Sequence, residues 1–188
     1  MNLQRPLFWH QGLLLQPHHF QLQDLTCQAL LTPFQQFITP HFWGVAQLGI
    51  NAKALGSRSF SVVNAEFLFP DGTGTVFPGN ALLEPRLFND TWIEGGKPFT
   101  VYVGLRKWDF NRENVTSLQE LKNISGVTTR FATTLDPEEV GDLHQGGPSA
   151  RVGRLFYVLR LFFESEKEQL GDYELLPIAQ LERFGEEI

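Results

Sequence analysis

The segment from Arg154 to Glu164 gives the strongest strand signal in the sequence, because apolar side chains occupy both sides of its alternation. One side carries Leu155, Tyr157, Leu159, Leu161 and Phe163, and the other carries Arg154, Phe156, Val158, Arg160 and Phe162. A strand that is apolar on both sides belongs in the middle of a covered sheet. The segment therefore predicts a central strand of a sandwich, in which Arg160 needs a carboxylate or carbonyl partner.

Other alternating segments predict further strands. Pro70-Asp71-Gly72 is a turn signal between two of them and predicts a hairpin. Pro177 interrupts the last one, which favours an edge position or a bulge. By contrast, Asp136-Pro137-Glu138-Glu139 predicts the start of a helix within a loop. The predicted strands besides 154–164 are 60–69, 75–77, 99–106 and 173–183.

The N-terminal part predicts a strand followed by a helix. Residues 7–15 are typical of an extended segment, and Pro17 fits the first turn of a helix of about four turns. A second short turn is predicted from Thr32-Pro33-Phe34-Gln35, which has the form of a capping box, and Pro40 would end it. The helix carries a stripe at helical spacing: Phe20, Asp24, Cys27 and Leu31.

Together these elements predict a mainly β chain, an antiparallel β-sandwich of about eight strands with one N-terminal helix. A chain of 188 residues can bury roughly 70% of its extended surface, so we expect a single domain over residues 1–188. No apolar run reaches the ~18 residues that a membrane-spanning helix needs. Cys27 is the only cysteine, which excludes an internal disulfide and favours a reducing compartment, the cytoplasm.

Charge and residue spacing argue against several classes of function. The net charge of −6, without a basic run, predicts no nucleic-acid binding. The spacing of His10, His18, His19 and His41 gives no pair that would aim two imidazoles at a metal from one helix face. The acidic pairs Glu138-Glu139 and Glu186-Glu187 lie in polar stretches. We therefore predict no metal, no cofactor and no enzymatic activity.

Aromatic residues are concentrated at the start of the chain, in two possible roles. They could pack the helix against the sheet, or they could form a surface that binds a partner, because interfaces also enrich large aromatic side chains. The sequence leaves both interpretations open. The residues are Phe8, Trp9, Phe20, Phe34, Phe37, Phe42 and Trp43.

The pattern Trp9-x-x-Gly12-x-x-Leu15-x-Pro17-x-His19-Phe20-Gln21 resembles the N-terminal signature of TssK, the family of type VI secretion baseplate subunits. Two later segments agree with this family. Phe42-Trp43-Gly44-Val45 resembles its step into the first sheet, and the segment from Leu176 to Arg183 resembles the Leu-Pro-Ile-Ala segment that closes its first domain. The resemblance spans essentially the whole chain.

This resemblance implies a shoulder-like β-sandwich, similar to that of siphophage receptor-binding proteins, in a structural adaptor. The domain would attach TssK trimers to the baseplate wedge built from TssF and TssG. A helical neck that trimerises and a C-terminal head that contacts the membrane complex would follow beyond residue 188. The expected protein is cytoplasmic, without membrane insertion.

The signature also implies a partner-binding site. Trp9, Leu15 and Phe20 are its candidate anchors, Gly12 would give backbone freedom, and Pro17 would set the turn into the helix. The alternative function is a glycan-binding or receptor-binding sandwich module, with aromatic side chains stacking on sugars. A third hypothesis is a hydrolase on a sandwich scaffold. The candidate partner-binding residues are Trp9, Gly12, Leu15, Pro17, His19, Phe20 and Gln21.

Overall fold

The computed structural model describes residues 7–39, 41–89, 97–142, 144 and 146–182, without the side chains of residues 35 and 36. Pro40, Arg183 and the Glu186-Glu187 pair, named above, lie outside this set. The chain divides into two compact units, an N-terminal unit of residues 1–43 and a C-terminal unit of residues 44–188. That residues 1–188 form one domain therefore stays a prediction.

In the N-terminal unit, helix α1 spans Pro17–Pro33 and a π-helix spans Phe34–Ile38. The predicted helix is confirmed, but the strand predicted before it is wrong. Residues 7–15 instead contain a turn in which the Leu13 N–H donates to the His10 carbonyl at 3.3 Å. Gly12 adopts a φ of 86° in this turn, a value that extended backbone does not have.

The end of α1 follows from Pro33. Proline has no N–H to donate to the carbonyl four residues earlier, so regular α-helical bonding cannot continue through it. The Thr39 N–H then donates to the Phe34 carbonyl at 3.1 Å, five residues back, as in a π-helix. A second short segment does start at Phe34, but the predicted capping box is absent, because Pro33 is helical and no side chain caps the segment.

The C-terminal unit is mainly β. Its elements are β1 Gly44–Ile50, α2 Ala52–Leu55, β2 Ser59–Phe60, β3 Val62–Leu68, β4 Gly74–Phe77, β5 Ala81–Leu83, β6 Arg86–Leu87, β7 Phe99–Arg106, β8 Val115–Leu118, β9 Phe131–Thr134, β10 Glu138–Val140, β11 Ala150–Val152, β12 Phe156–Phe163, a 3-10 helix Glu164–Gln169, and β13 Tyr173–Leu181. Several of the described strands have only two to four residues, which is why the sequence predicted fewer.

These strands form two main sheets. One has the order β1-β3-β4, and the other has the order β13-β7-β12-β9-β8, with β5 along β12. Two short pairs, β2-β6 and β10-β11, complete the described part. Most pairs are antiparallel, whereas β5-β12 and β8-β9 are parallel. The sheet arrangement is therefore mixed where the sequence predicted an antiparallel one.

The predicted hairpin between β3 and β4 is confirmed. Gly72 has a φ of 84°, and its N–H donates to the Phe69 carbonyl at 2.9 Å. Asp71 stabilises the same turn, since its Oδ1 accepts from the Thr73 N–H at 2.9 Å. The turn sets the register in which Phe67 pairs with Thr75.

A hydrophobic core lies between the two main sheets and confirms the sandwich. Phe67 of β3, Val103 of β7 and Leu161 of β12 all belong to it. Phe163 meets the rings of Phe88 and Phe99 edge to face, with ring centroids 6.4 and 5.7 Å away. A second cluster covers the other face of β12 around its Val158 and contains Ile124, Val127 and Ala132. Strand β12 is thus central and buried on both faces, as predicted.

Three smaller predictions have mixed outcomes. Strand β13 ends its sheet and carries a bulge between Pro177 and Ala179, as predicted. Arg160 finds carbonyl partners, those of Ser125 and Val127. The helix start predicted from Asp136 is wrong: residues 138–140 form β10, and ion pairs of Asp136 with Arg151 and of Glu138 with Arg154 flank this extended pairing.

Arg130 is the one charged side chain in the buried part of the described chain. Its Nη2 lies 2.8 Å from Asp71 Oδ2 and donates to Thr73 Oγ1 at 2.7 Å, while its Nη1 donates to the Arg106 carbonyl at 2.6 Å. Three aromatic rings lie 5.6 to 5.8 Å from the guanidinium, those of Trp108, Phe131 and Tyr157. The ion pair of Arg130 with Asp71 anchors the β3-β4 turn to the residues just before β9.

Candidate docking surface

Helix α1 exposes apolar side chains to solvent, among them Phe20, Leu30 and Leu31. No residue of α1 is buried. Of its half-buried positions, Leu25 and Ala29 lie away from Phe20, whereas Gln23 lies beside Cys27 and donates to its Sγ at 3.5 Å. Exposed residues that follow one another every three or four positions lie along one line of the helix, here called the α1 stripe. It consists of Phe20, Asp24, Cys27, Leu31 and the adjoining Phe34.

The exposure of the α1 stripe is large. Phe20 is 55% exposed, Leu31 59% and Phe34 60%. Among the described residues, thirteen exposed large apolar side chains lie in the N-terminal unit and nine in the much longer C-terminal unit. A concentration of exposed apolar side chains of this size is typical of a surface that binds a partner. The thirteen are Phe8, Trp9, Leu14, Leu15, Phe20, Leu22, Leu30, Leu31, Phe34, Phe37, Ile38, Phe42 and Trp43.

The same stretch is almost free of charge. Between Leu7 and Trp43 the sequence contains no Lys or Arg, and Asp24 is its single carboxylate. Interface centres are depleted in charged residues and enriched in aromatic ones, whereas ordinary protein surfaces are not. Composition and exposure therefore agree: the N-terminal unit has the character of an interface.

The seven predicted partner-binding residues lie in the N-terminal unit at unequal depths. Trp9, Leu15 and Phe20 are exposed, as anchors would have to be. His19 is half-buried; its Nδ1 accepts from the Gln16 N–H at 3.1 Å, and its ring lies 6.4 Å from that of Trp9. The other three are exposed: Gly12 in its turn, Pro17 at the first position of α1, and Gln21 on that helix. Their binding role stays a prediction.

Sequence reasoning left several exposed apolar residues out of the predicted site. Leu30, Leu31 and Phe34 extend the same surface toward the end of α1. The signal that could have found them is the absence of charge from Leu7 to Trp43 apart from Asp24, because a solvated helix of this length normally carries several charged residues.

The C-terminal unit contains a cleft of about 350 Å³ whose charged side chains are hydrogen-bonded to one another or to the backbone. Arg86 makes two 2.8 Å hydrogen bonds to the Glu166 carboxylate and donates to the Leu161 carbonyl at 2.7 Å. Glu84 accepts from the Ile124 N–H at 2.6 Å, and Arg160 is bound to backbone carbonyls. The charge-assisted bonds of Arg86 hold β6 against β12 and the following 3-10 helix.

Glu166 makes the stability of this cleft depend on pH. Burial raises the pKa of Glu166, but hydrogen bonds from Arg86 and from the Phe163 N–H, with the Arg86 charge, bring it below its usual value. A carboxyl group whose pKa is lowered by folding stabilises the protein above its unfolded pKa, about 4.3, and loses this contribution as the pH falls through the folded value.

We expect Glu166→Gln to lower the free energy of unfolding by about 1 kcal/mol at pH 7, and the difference from the wild type to shrink toward pH 3. Urea denaturation at both pH values measures it. Glu120→Gln is the control, because its pair with Lys122 is exposed. A difference that stays constant over this range would refute the role given to Glu166.

Two classes of site are not found among the residues described above. No three His, Cys, Asp or Glu side chains in that part of the chain are placed to hold a metal ion. None of its helices combines the length and apolar character that crossing a bilayer requires.

The fold and its surface define a class: β-sandwich proteins that carry an exposed, apolar, helical segment at the N-terminus. Residues 19–187 match the family model described as "Bacterial Type VI secretion, VC_A0110, EvfL, ImpJ, VasE". The chain belongs to this VasE family of type VI secretion proteins, and the resemblance to TssK is confirmed.

Three similar proteins agree with this assignment. The type VI secretion system baseplate component TssK1 of Pseudomonas aeruginosa is 26% identical over 186 residues, which cover 96% of this chain and 38% of TssK1. A crystal structure of TssK superposes with a TM-score of 0.77 at 23% identity, over 97% of this chain and 39% of that one. A chain of the TssK-TssF-TssG baseplate subcomplex, determined by cryo-electron microscopy, gives 0.77 at 20% identity, over 98% and 58%.

The chain thus spans about two fifths of the curated relative it matches. The superpositions confirm the predicted fold class.

Proposed function

We propose that this chain is the N-terminal part of a type VI secretion baseplate subunit, and that it docks onto the TssF–TssG wedge through the N-terminal unit. Two findings support a role in the baseplate: membership of the family, and the similarity to a chain of a TssK-TssF-TssG subcomplex. The observation that carries the docking surface is the α1 stripe, an apolar helix face exposed to solvent.

The energetics of the α1 stripe favour a role in association. Complete burial of a Leu or Phe side chain gains about 1.5 to 3 kcal/mol. Phe20, Leu31 and Phe34 are each more than half exposed, so a partner that covered them would recover a large part of that gain. Part of the gain offsets the lost freedom of the two proteins, and the surplus appears as affinity.

The complete subunit would add properties that this chain does not supply. A trimer formed by later segments would present several docking domains at once and raise avidity for the wedge. The later head would contact the membrane complex, and the assembly would stand in the cytoplasm. The glycan-binding and hydrolase alternatives gain no support from the described residues and stay hypotheses.

We expect Phe20→Gln combined with Leu31→Gln to weaken binding to purified TssF–TssG wedge of the same source at least about 30-fold, because interface hot spots cost 2 kcal/mol or more each. Light scattering on size-exclusion fractions and a binding titration measure this. The control is Val63→Gln with Leu87→Gln, two exposed apolar residues of the C-terminal unit, which should bind as the wild type does.

Two results would contradict the proposal. Unchanged binding of the folded α1 variant would show that the wedge does not contact this helix. If circular dichroism showed instead that the α1 variant unfolds while the control stays folded, Phe20 and Leu31 would be core residues. A single Trp9→Ala variant extends the same test to the segment before α1.

A further inference from the structure

The spacing of the α1 stripe suits a second helix. Its residues follow one another at intervals of four, three, four and three, which is the heptad spacing of helices that pair side by side. With a rise of 1.5 Å per residue, the strip from Phe20 to Phe34 is about 21 Å long. An exposed apolar strip with heptad spacing is covered well by the apolar face of another helix.

Asp24 is the one charged residue of the α1 stripe. It lies between Phe20 and Cys27, it is exposed, and it forms no ion pair within the described residues. Enclosing a carboxylate in an apolar contact without a counter-charge costs several kcal/mol, which would cancel the gain from a neighbouring anchor. A partner that covers the whole stripe must therefore bring a cation to this position.

A second copy of this helix cannot bring that cation. In a parallel pair, Asp24 would face the Asp24 of the other copy, and like charges repel. In an antiparallel pair centred on Cys27, Asp24 would face the region of Leu31, which has no charge. Since no Lys or Arg occurs between Leu7 and Trp43, neither arrangement pairs the carboxylate.

We infer that the α1 stripe is covered by an amphipathic helix of a different protein, which places a Lys or Arg side chain against Asp24. This inference rests on the proposed function, because it takes docking through α1 as given and specifies the chemistry of what docks. In such an interface the apolar residues supply affinity, and the charge pair fixes the register of the two helices.

The test compares Asp24→Asn and Asp24→Lys with Glu113→Lys, an exposed acidic residue of the C-terminal unit, in binding to the purified TssF–TssG wedge. We expect Asp24→Lys to bind at least about 30-fold more weakly, since truncated interface charge pairs cost this much or more. Asp24→Asn should fall between Asp24→Lys and the wild type, and Glu113→Lys should match the wild type. Hydrogen exchange on the wedge should show a protected segment with apolar residues at heptad spacing and a Lys or Arg among them.

The outcomes separate this inference from the proposed function. Suppose that the Phe20 and Leu31 variant loses binding while Asp24→Lys binds normally. Docking through α1 would then stand, but the pairing of Asp24 with a basic residue of the partner would be refuted. A protected segment without Lys or Arg would refute that pairing as well. If neither variant changes binding, docking through α1 fails as well. Reversing the charge of the protected Lys or Arg should restore binding to Asp24→Lys, and failure of this rescue would also refute the pair.

Discussion

Replacement of Asp71 by alanine is expected to lower the free energy of unfolding by about 3 kcal/mol, because removing one partner of a buried ion pair strands the other charge. The side chain of Arg130 is 2% exposed and that of Asp71 29% exposed, so the stranded group would be the buried guanidinium. The Arg106 carbonyl and Thr73 would still bind it, but no anion would remain at the site. Urea denaturation monitored by tryptophan fluorescence measures the loss.

The matched control is Asp136→Ala. Asp136 pairs with Arg151 at 2.7 Å, slightly closer than the Asp71 contact, but both side chains are largely exposed. Exposed ion pairs contribute about 0 to 1 kcal/mol. Equal losses in the two variants would show that burial of Arg130 does not matter, and the account of the Asp71 pair would be wrong.

The second large effect is expected at Phe163. Its side chain is buried between the main sheets against Phe88 and Phe99, and the Arg86 guanidinium lies 4.7 Å from its ring. Phe163→Ala should therefore lower the free energy of unfolding by about 3 to 5 kcal/mol, the usual result for a buried phenylalanine. Because small proteins have only about 5 to 15 kcal/mol of stability, the variant should also express poorly.

Phe110→Ala is the comparison for Phe163→Ala, since Phe110 is exposed and its ring stacks on that of Trp108. Phe110→Ala should lower the free energy of unfolding by no more than about 0.5 to 1 kcal/mol. A loss at Phe163 no larger than this would mean that the three-ring cluster is not essential to the core.

The positions of strands could be predicted where a local pattern of residues determines them. The alternation around Val158 and Leu159 identified the central strand, and Pro177 identified the bulge in β13, because both are local consequences of side-chain direction or of a missing N–H. The strand β10 was missed, because Glu138 and Glu139 are polar and their extended form depends on pairing with Ala150–Val152. The strand predicted over residues 7–15 failed for the opposite reason: its apolar residues fit a strand, but Gly12 turns the chain.

The surface was harder to predict than the fold. The spacing of Phe20, Cys27 and Leu31 gave the helix and its stripe, but spacing alone cannot say whether a stripe faces a core or solvent. Cys27, a member of this stripe, is exposed. The Arg130 pair could not be foreseen, because Asp71 and Arg130 are brought together only by the packing of the β3-β4 turn.

The near absence of charge in the N-terminal unit has a kinetic consequence for the proposed complex. Charged interfaces attract their partners over long distances and can associate at ~10⁸ M⁻¹s⁻¹ or faster, whereas uncharged ones associate at about 10⁵ to 10⁶ M⁻¹s⁻¹. With Asp24 as its single charged group, the stretch from Leu7 to Trp43 would meet its partner by unguided diffusion. The lifetime of the complex, rather than the speed of its formation, would then distinguish a well-fitting partner from a poor one.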